Sequence, residues 1–214
     1  MLRLRQISLL QFKNYQHRQF RFDERVTGIC GSNGAGKTNL LDAIHYLCFT
    51  RSYFGRLDAG HVLHGAAGFR IEGQFSMEQE EEKAVCILRE NGRKEFLVNE
   101  SAYDKFSRHI GRYPAVVIAP DDASLITGNS EYRRKFLDAL LSQIDTEYLQ
   151  SLITYTRVLQ QRNSLLKSFA ETGNRNEKLL EVLDEQLAVP GDIIFKKRKT
   201  FLTAFLPEVV HLYH

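Results

Sequence analysis

Eight consecutive residues, Gly31-Ser32-Asn33-Gly34-Ala35-Gly36-Lys37-Thr38, fit the pattern G-x-x-x-x-G-K-[ST] at every defined position. The chemistry of that pattern is phosphate binding. Glycines at 31, 34 and 36 let the backbone turn tightly and aim successive amides at phosphate oxygens. A helix opening at Lys37 adds partial positive charge at the same point. Lys37 is expected to reach the β- and γ-phosphates, and the Thr38 hydroxyl to be a magnesium ligand. These residues suit the phosphates of a nucleotide together with Mg2+.

The surrounding elements suit that reading. Val26 to Cys30 is a short apolar run, expected as a buried strand leading into the loop. After it, Leu40, Leu41, Ile44, Leu47 and Cys48 recur at helical spacing. Leu2 to Leu10 is expected as a strand with a short partner at Gln19 to Phe22. Alternation at Phe69, Ile71 and Phe75 marks another strand, and Asn91-Gly92 marks a hairpin between Lys83–Glu90 and Lys94–Val98. Ala115 to Ala119 is expected as a further buried strand, ended by Pro120-Asp121-Asp122. Asp121 or Asp122 is expected to cap a short helix through Ile126, or, in a kinase-like site, Asp121 holds magnesium.

From Ser130 onward the signal is helical. Leu152, Leu159 and Leu166 recur every seven residues, with Tyr148, Tyr155, Arg162 and Phe169 in the companion register. Gly173-Asn174 breaks the pattern, and a second helical stretch follows to about Leu206, so an antiparallel helical hairpin is expected. Pro190-Gly191 is expected to kink or end the second helix. Glu208 to His214 reads as the start of a strand, and hence as a chain that continues in a longer protein.

Composition narrows the class. The chain has 214 residues, 43% hydrophobic and 26% charged, with a net charge of +3. That is globular and argues neither for nor against a polyanionic partner. No apolar stretch reaches membrane-spanning length and no signal-peptide block opens the chain, so no membrane role is expected. The three cysteines, Cys30, Cys48 and Cys86, show no ligand or disulfide spacing, which favours a reducing, cytoplasmic setting. GTPase base-reading and switch patterns (Asn-Lys-x-Asp, Asp-x-x-Gly) are absent from these residues.

Several segments in order resemble the RecF family of bacterial recombination proteins, whose relatives are the ABC-type heads of SMC proteins. They are Phe12-Lys13-Asn14-Tyr15, Gly31 to Asn39 with Leu40-Leu41-Asp42-Ala43-Ile44, Arg51-Ser52, and Val116 to Asp122. Gly128 to Asp138, with its Tyr-Arg-Arg-x-Phe-Leu-Asp core, is the narrowest of them, followed by Tyr155 to Asn163 and Leu183 to Leu187. The resemblance implies an α/β P-loop NTPase of ABC/SMC-head type, a mixed sheet around the P-loop helix with an inserted helical lobe. The expected division is 1–129 for the first part of the head and 130–214 for the helical lobe, truncated.

By resemblance, Lys13, Asn14 and Asn39 join the nucleotide site, and Asp121 is not the magnesium carboxylate. The implied function is ATP-dependent DNA binding in recombinational repair and replication-fork maintenance, with DNA damage and SOS-response roles. The implied partners are double-stranded and gapped DNA, RecR, RecO and a second copy in an ATP-driven dimer. Hydrolysis is expected to be slow in the longer protein and absent in these residues, which lack the Leu-Ser-Gly-Gly-Gln signature and a later metal carboxylate. The alternative is a small P-loop kinase using Asp121. DNA contacts are hardest to place, since from Glu131 onward twelve Lys or Arg face eleven Asp or Glu. The candidates are Arg51, Arg56, Arg133, Arg134 and Lys135, and binding is expected to be electrostatic.

Overall fold

The computed structural model describes residues 1–55, 57–77, 80–173 and 175–213, with the backbone alone at Asp121. It divides into two compact units, Met1–Ile118 and the residues from Ala119 onward.

The first unit is a six-stranded sheet with one long helix. Strands β1 (Leu2–Phe12), β2 (Tyr15–Arg21), β3 (Phe69–Met77), β4 (Glu80–Leu88), β5 (Lys94–Val98) and β6 (Ser101–Ala102) lie in the order β2-β1-β3-β4-β5-β6. Every pairing is antiparallel. The apolar alternation of β1 changes parity along its length, from Leu2 and Leu4 to Ile7 and Leu9. The register against β3 shifts between Leu4 and Gln6, where the change of parity requires it. β1 and β2 meet through a two-residue loop, Lys13-Asn14, with Phe12 opposite Tyr15. Lys13 carries it in the left-handed region, φ +52. At the β4–β5 hairpin only Gly92 of the Asn91-Gly92 pair is left-handed, φ +77.

Helix α1 (Lys37–Phe49) buries Leu40, Ala43, Tyr46 and Leu47 in one core with Ile7, Leu9, Phe12, Ile71, Phe75, Cys86 and Phe96. Gly73 of β3 lets it close on the sheet, because a Cβ there would lie 2.4 Å from Leu47 Cδ1. The buried face is rotated from the one expected: Leu41 is exposed and Tyr46 is wholly buried. Burying the larger aromatic surface of Tyr46 outweighs one exposed leucine.

Two expected strands are absent. Neither 26–30 nor 115–119 forms a ladder, and Val26, Val116 and Ile118 are exposed. An apolar run becomes a strand only when a neighbour takes its backbone hydrogen bonds. Among the described residues no strand pairs with either run, so the expected mixed sheet is represented by antiparallel pairings alone.

His109 lies buried in this core, its Nε2–H donating to Leu47 O at 2.7 Å, and burial pushes its pKa down to about 4. Its folded value lies below its unfolded value near 6.5. Acid therefore favours the unfolded chain as pH falls from about 6.5 towards 4. Urea midpoints should drop across that window, and His109→Gln, which keeps a donor, should flatten the drop. A wild-type midpoint constant from pH 7 to 5 would contradict this.

The second unit is helical. A 3-10 turn at Pro120–Ala123 leads into α2 (Ser124–Thr127), followed by α3 (Ser130–Ile144), α4 (Thr146–Thr172) and α5 (Glu177–Tyr213). Asp122 reaches back to accept from Ala119 N at 2.7 Å, a reversed cap. Asn129 and Asp145 cap α3 and α4 by accepting from Glu131 N and Tyr148 N. Gly173, φ +72, ends α4.

Helices α4 and α5 form the expected antiparallel hairpin. Arg162, the polar break in the seam, is answered by Asp184 on α5. Val158, outside the heptad series, is buried, whereas Leu166 of that series is exposed. Arg198 donates to Tyr148 Oη at 2.9 Å and to Asp138 at 2.5 Å, and Lys197 meets Asp145 and Glu147 at 2.6 Å each. These contacts tie the three long helices together.

Helix α5 does not end at Pro190 but runs on through Pro190 and Pro207. Pro190 is buried, and Gly191 lets α4 approach to 3.2 Å between Tyr155 Cε2 and the position a Cβ would take. Burial of Pro190 and the close approach of Tyr155 at Gly191 offset the roughly 3 kcal/mol that an interior proline costs an exposed helix. Residues 208–213 are likewise helix and not strand. A helix bonds its own backbone, whereas β-branched Val209 and Val210 favour a strand only where a neighbour exists.

Candidate nucleotide site

The loop Gly31–Gly36 joins the sheet to α1. Gly31, Gly34 and Gly36 take φ values of +154, +81 and +102, where only glycine is unstrained. Gly36 is the N-cap of α1, with no side-chain cap and no acidic residue in the first turn. The first amides of the helix and its dipole are thus directed at the loop's concavity without a carboxylate to answer them. Lys37 Nζ donates to Gly31 O at 2.8 Å and Ser32 O at 2.9 Å, closing the loop on itself. Ala35 N donates to Ser32 O at 3.3 Å. Ser32, Asn33 and Thr38 are exposed.

The β1–β2 loop braces this site from one side. Asn39 Nδ2 donates to Asn14 Oδ1 at 2.8 Å, and Tyr15 Oη–H donates to Gly36 O at 3.0 Å. Burial holds the Tyr15 phenol above its usual pKa, so it remains a donor at neutral pH. Lys13 points elsewhere: its ammonium meets Asp42 Oδ2 at 2.6 Å and lies 5.1 Å from the centre of the Phe54 ring. Asn14 and Asn39 are thus brought to the loop, while Lys13 reaches it only through its neighbours.

Sequence reasoning gave no role to Tyr15, Asp42 or Ser52. One signal was available: Asp42 is a carboxylate inside the apolar stretch Leu40-Leu41-Asp42-Ala43-Ile44.

The residues present fit a nucleotide's phosphates: a glycine-lined turn, an uncapped helix start and a fixed ammonium. Among the described residues no group of three or more His, Cys, Asp or Glu could hold a metal ion by itself. Magnesium would therefore depend on phosphate oxygens and the exposed Thr38 hydroxyl. The kinase-like alternative rests on the Asp121 side chain, which lies outside the described residues, as does Arg56.

Arg133, Arg134 and Lys135 among the DNA candidates have local partners. Arg133 Nη1 donates to Leu125 O and Gly128 O at 3.2 and 3.0 Å, Arg134 Nη1 donates to Ser130 Oγ at 2.8 Å, and Lys135 pairs with Glu131 at 2.7 Å. All three remain exposed, and Arg51 is exposed just beyond α1. No helix among the described residues is long and apolar enough to cross a membrane.

Comparison with known proteins agrees with this geometry. The family model described as AAA domain matches residues 6–201. The DNA replication and repair protein RecF of Flavobacterium johnsoniae is 42% identical over 213 residues, covering 100% of this chain and 59% of its own length. A solved structure of the recombination mediator protein RecF-ATP in the RecFOR pathway aligns with a TM-score of 0.85 at 34% identity, over 94% of this chain and 54% of that one. The SMC head domain of Pyrococcus furiosus, solved with an extended coiled coil and bound to the C-terminal domain of ScpA, shares the fold alone. It has a TM-score of 0.53 at 17% identity, over 98% of this chain and 59% of that one. The chain spans a little over half the length of these RecF relatives. With an AAA domain model over most of its length and RecF proteins aligned along nearly all of it, the chain belongs to the AAA domain family of P-loop proteins as a RecF-type member.

Proposed function

We propose that this chain binds ATP through Gly31–Asn39 and is the nucleotide-binding part of a DNA replication and repair ATPase. The observation that carries the reading is the uncapped start of α1, facing three left-handed glycines with Lys37 fixed across them. Magnesium, when bound, neutralises phosphate charge, and Thr38 is the residue proposed to hold it. Lys37 takes the outer phosphate charge, the loop amides orient the phosphate chain, and Asn14 and Tyr15 keep Asn39 and Gly36 in register.

ATP closes a dimer of the longer protein on double-stranded or gapped DNA, slow hydrolysis resets it, and RecR and RecO assist in loading recombinase. The setting is cytoplasmic, in DNA damage and the SOS response. The names and the ATP form of the RecF relatives support this reading. Calorimetric titration of the chain with ATP and magnesium tests its base: saturable 1:1 binding supports it and no heat of binding refutes it.

DNA binding should be electrostatic, because no base-reading helix pattern is evident in the sequence. In the full-length protein, replacing Arg133 and Arg134 by glutamine should lower the slope of log K against log salt by about 1–2. Arg133 also holds two backbone carbonyls, so the melting temperature is measured alongside. An unchanged slope and affinity would mean that the two arginines serve only the α2–α3 junction.

A further inference from the structure

Asp42 sits in the second turn of α1 with its side chain wholly buried. It accepts from Lys13 Nζ at 2.6 Å, from Ser52 Oγ at 2.8 and 3.0 Å through its two oxygens, and from Tyr53 N at 2.8 Å. A buried carboxylate is tolerated only when paired and hydrogen-bonded, and here both oxygens are. Three stretches of chain cross at this group: the loop 13–15, helix α1, and residues 52–54.

Each stretch has a second attachment. Lys13 is a non-glycine residue held left-handed in a two-residue hairpin loop, a conformation that costs about 1–2 kcal/mol and persists only when its surroundings impose it. The Asp42 ion pair and the bond from Lys13 N to His61 O at 2.7 Å impose it. The next two residues, Asn14 and Tyr15, are those that hold Asn39 and Gly36. Asp42 itself lies six residues along α1 from Gly36, about 9 Å at the helical rise. On the far side, Ser52 Oγ accepts from Phe54 N at 3.1 Å, and the Phe54 ring packs under the Lys13 ammonium.

We infer that the Lys13–Asp42 pair is a positioning device that couples nucleotide occupancy of the P-loop to the conformation of residues 52–54. The inference rests on the nucleotide reading above. An apolar contact at this crossing would allow the pieces to slide. A carboxylate bonded to all of its partners fixes their directions, so a shift of α1 or of loop 13–15 on phosphate binding is passed to Ser52 and Tyr53. Asp42 and Lys13 act through other groups and not on the nucleotide.

The 214 residues contain no tryptophan, so Phe54→Trp places a single reporter on the receiving segment. Phe54 is about half exposed, and tryptophan keeps the stacking with Lys13. Phe54→Trp should bind ATP with magnesium within twofold of the parent, and its emission should change with a midpoint equal to the calorimetric Kd. Adding Asp42→Asn should weaken ATP binding about tenfold and abolish the emission change at saturating ATP. Lys13→Met should reproduce that loss, and Lys13→Arg should restore the change. Circular dichroism shows which variants fold, and Lys13→Met stands in should Asp42→Asn fail to.

Folded Asp42→Asn or Lys13→Met with a parental emission change at saturation would overturn the coupling. So would Phe54→Trp that binds ATP without any change in emission. Absence of ATP binding by the parent is a different result: it refutes the nucleotide reading and removes the basis of the inference with it.

Discussion

Lys37→Ala should weaken ATP binding at least tenfold. In the structure the ammonium spans the two carbonyls at the start of the loop, Gly31 O and Ser32 O, at 2.8 and 2.9 Å. It is the positive side chain fixed at the mouth of the loop, and a charge-assisted contact with phosphate is worth roughly 1.5–3 kcal/mol. Each 1.4 kcal/mol is about tenfold in affinity, so the loss should lie between about tenfold and 150-fold. The chain should stay folded, because Lys37 contributes no side chain to the core. Lys37→Arg retains charge but presents a planar fork, which cannot reproduce the paired bonds of a compact ammonium, so it should fall between the two. Calorimetry at constant salt, beside thermal melts, decides the matter. Equal affinity for Lys37→Ala and parent would mean that nucleotide does not bind where the loop is.

The P-loop was legible because its requirements are local. Three glycines at fixed spacing mark three left-handed backbone positions, and Lys37-Thr38 marks the start of a helix. Contacts set by the tertiary fold were not legible. Asn14 is placed at the site by resemblance alone and Tyr15 not at all; they bond Asn39 and Gly36 from 25 and 21 residues away, and nothing in their spacing announces it. In the sequence Asp42 is only a carboxylate within an apolar stretch; its meaning depends on Lys13, Ser52 and Tyr53 all arriving at it.

The secondary-structure errors share a cause. Runs 26–30 and 115–119 are apolar enough for strands, but a strand needs a neighbour, and periodicity does not reveal one. The same holds in reverse for residues 208–213, where β-branched composition gave way to a helix that bonds its own backbone. At Pro190 the local penalty is offset by burial of the ring and by the Tyr155 contact at Gly191. Arg162 is a polar residue in the companion register, and its partner Asp184 lies on another helix.

Gly36→Ala should damage the site more selectively than any core substitution. The residue sits at φ +102, ψ 8, where a side chain costs about 1–2 kcal/mol. The new Cβ would also lie 2.7 and 2.8 Å from Asn14 Nδ2 and Oδ1 and 2.8 Å from Tyr15 Oη. These are the ends of side chains and can move aside, so the clash alone does not unfold the loop. Moving them breaks the Asn14–Asn39 bond and the Tyr15–Gly36 bond, each worth roughly 1 kcal/mol. Together the local cost is about 3 kcal/mol, and it falls on the turn that must present its amides to phosphate. ATP affinity should therefore drop on the order of a hundredfold, while far-ultraviolet circular dichroism stays parental. A second pair of variants separates the two sources of cost. With Asn14→Ala and Tyr15→Phe in place, the space is cleared and the bonds are already gone, so Gly36→Ala should then cost only the backbone strain, about tenfold. If Gly36→Ala costs the same hundredfold in that background, the side-chain brace contributes nothing and the left-handed backbone carries the whole effect. If Gly36→Ala binds ATP like the parent in either background, the loop is not the phosphate site.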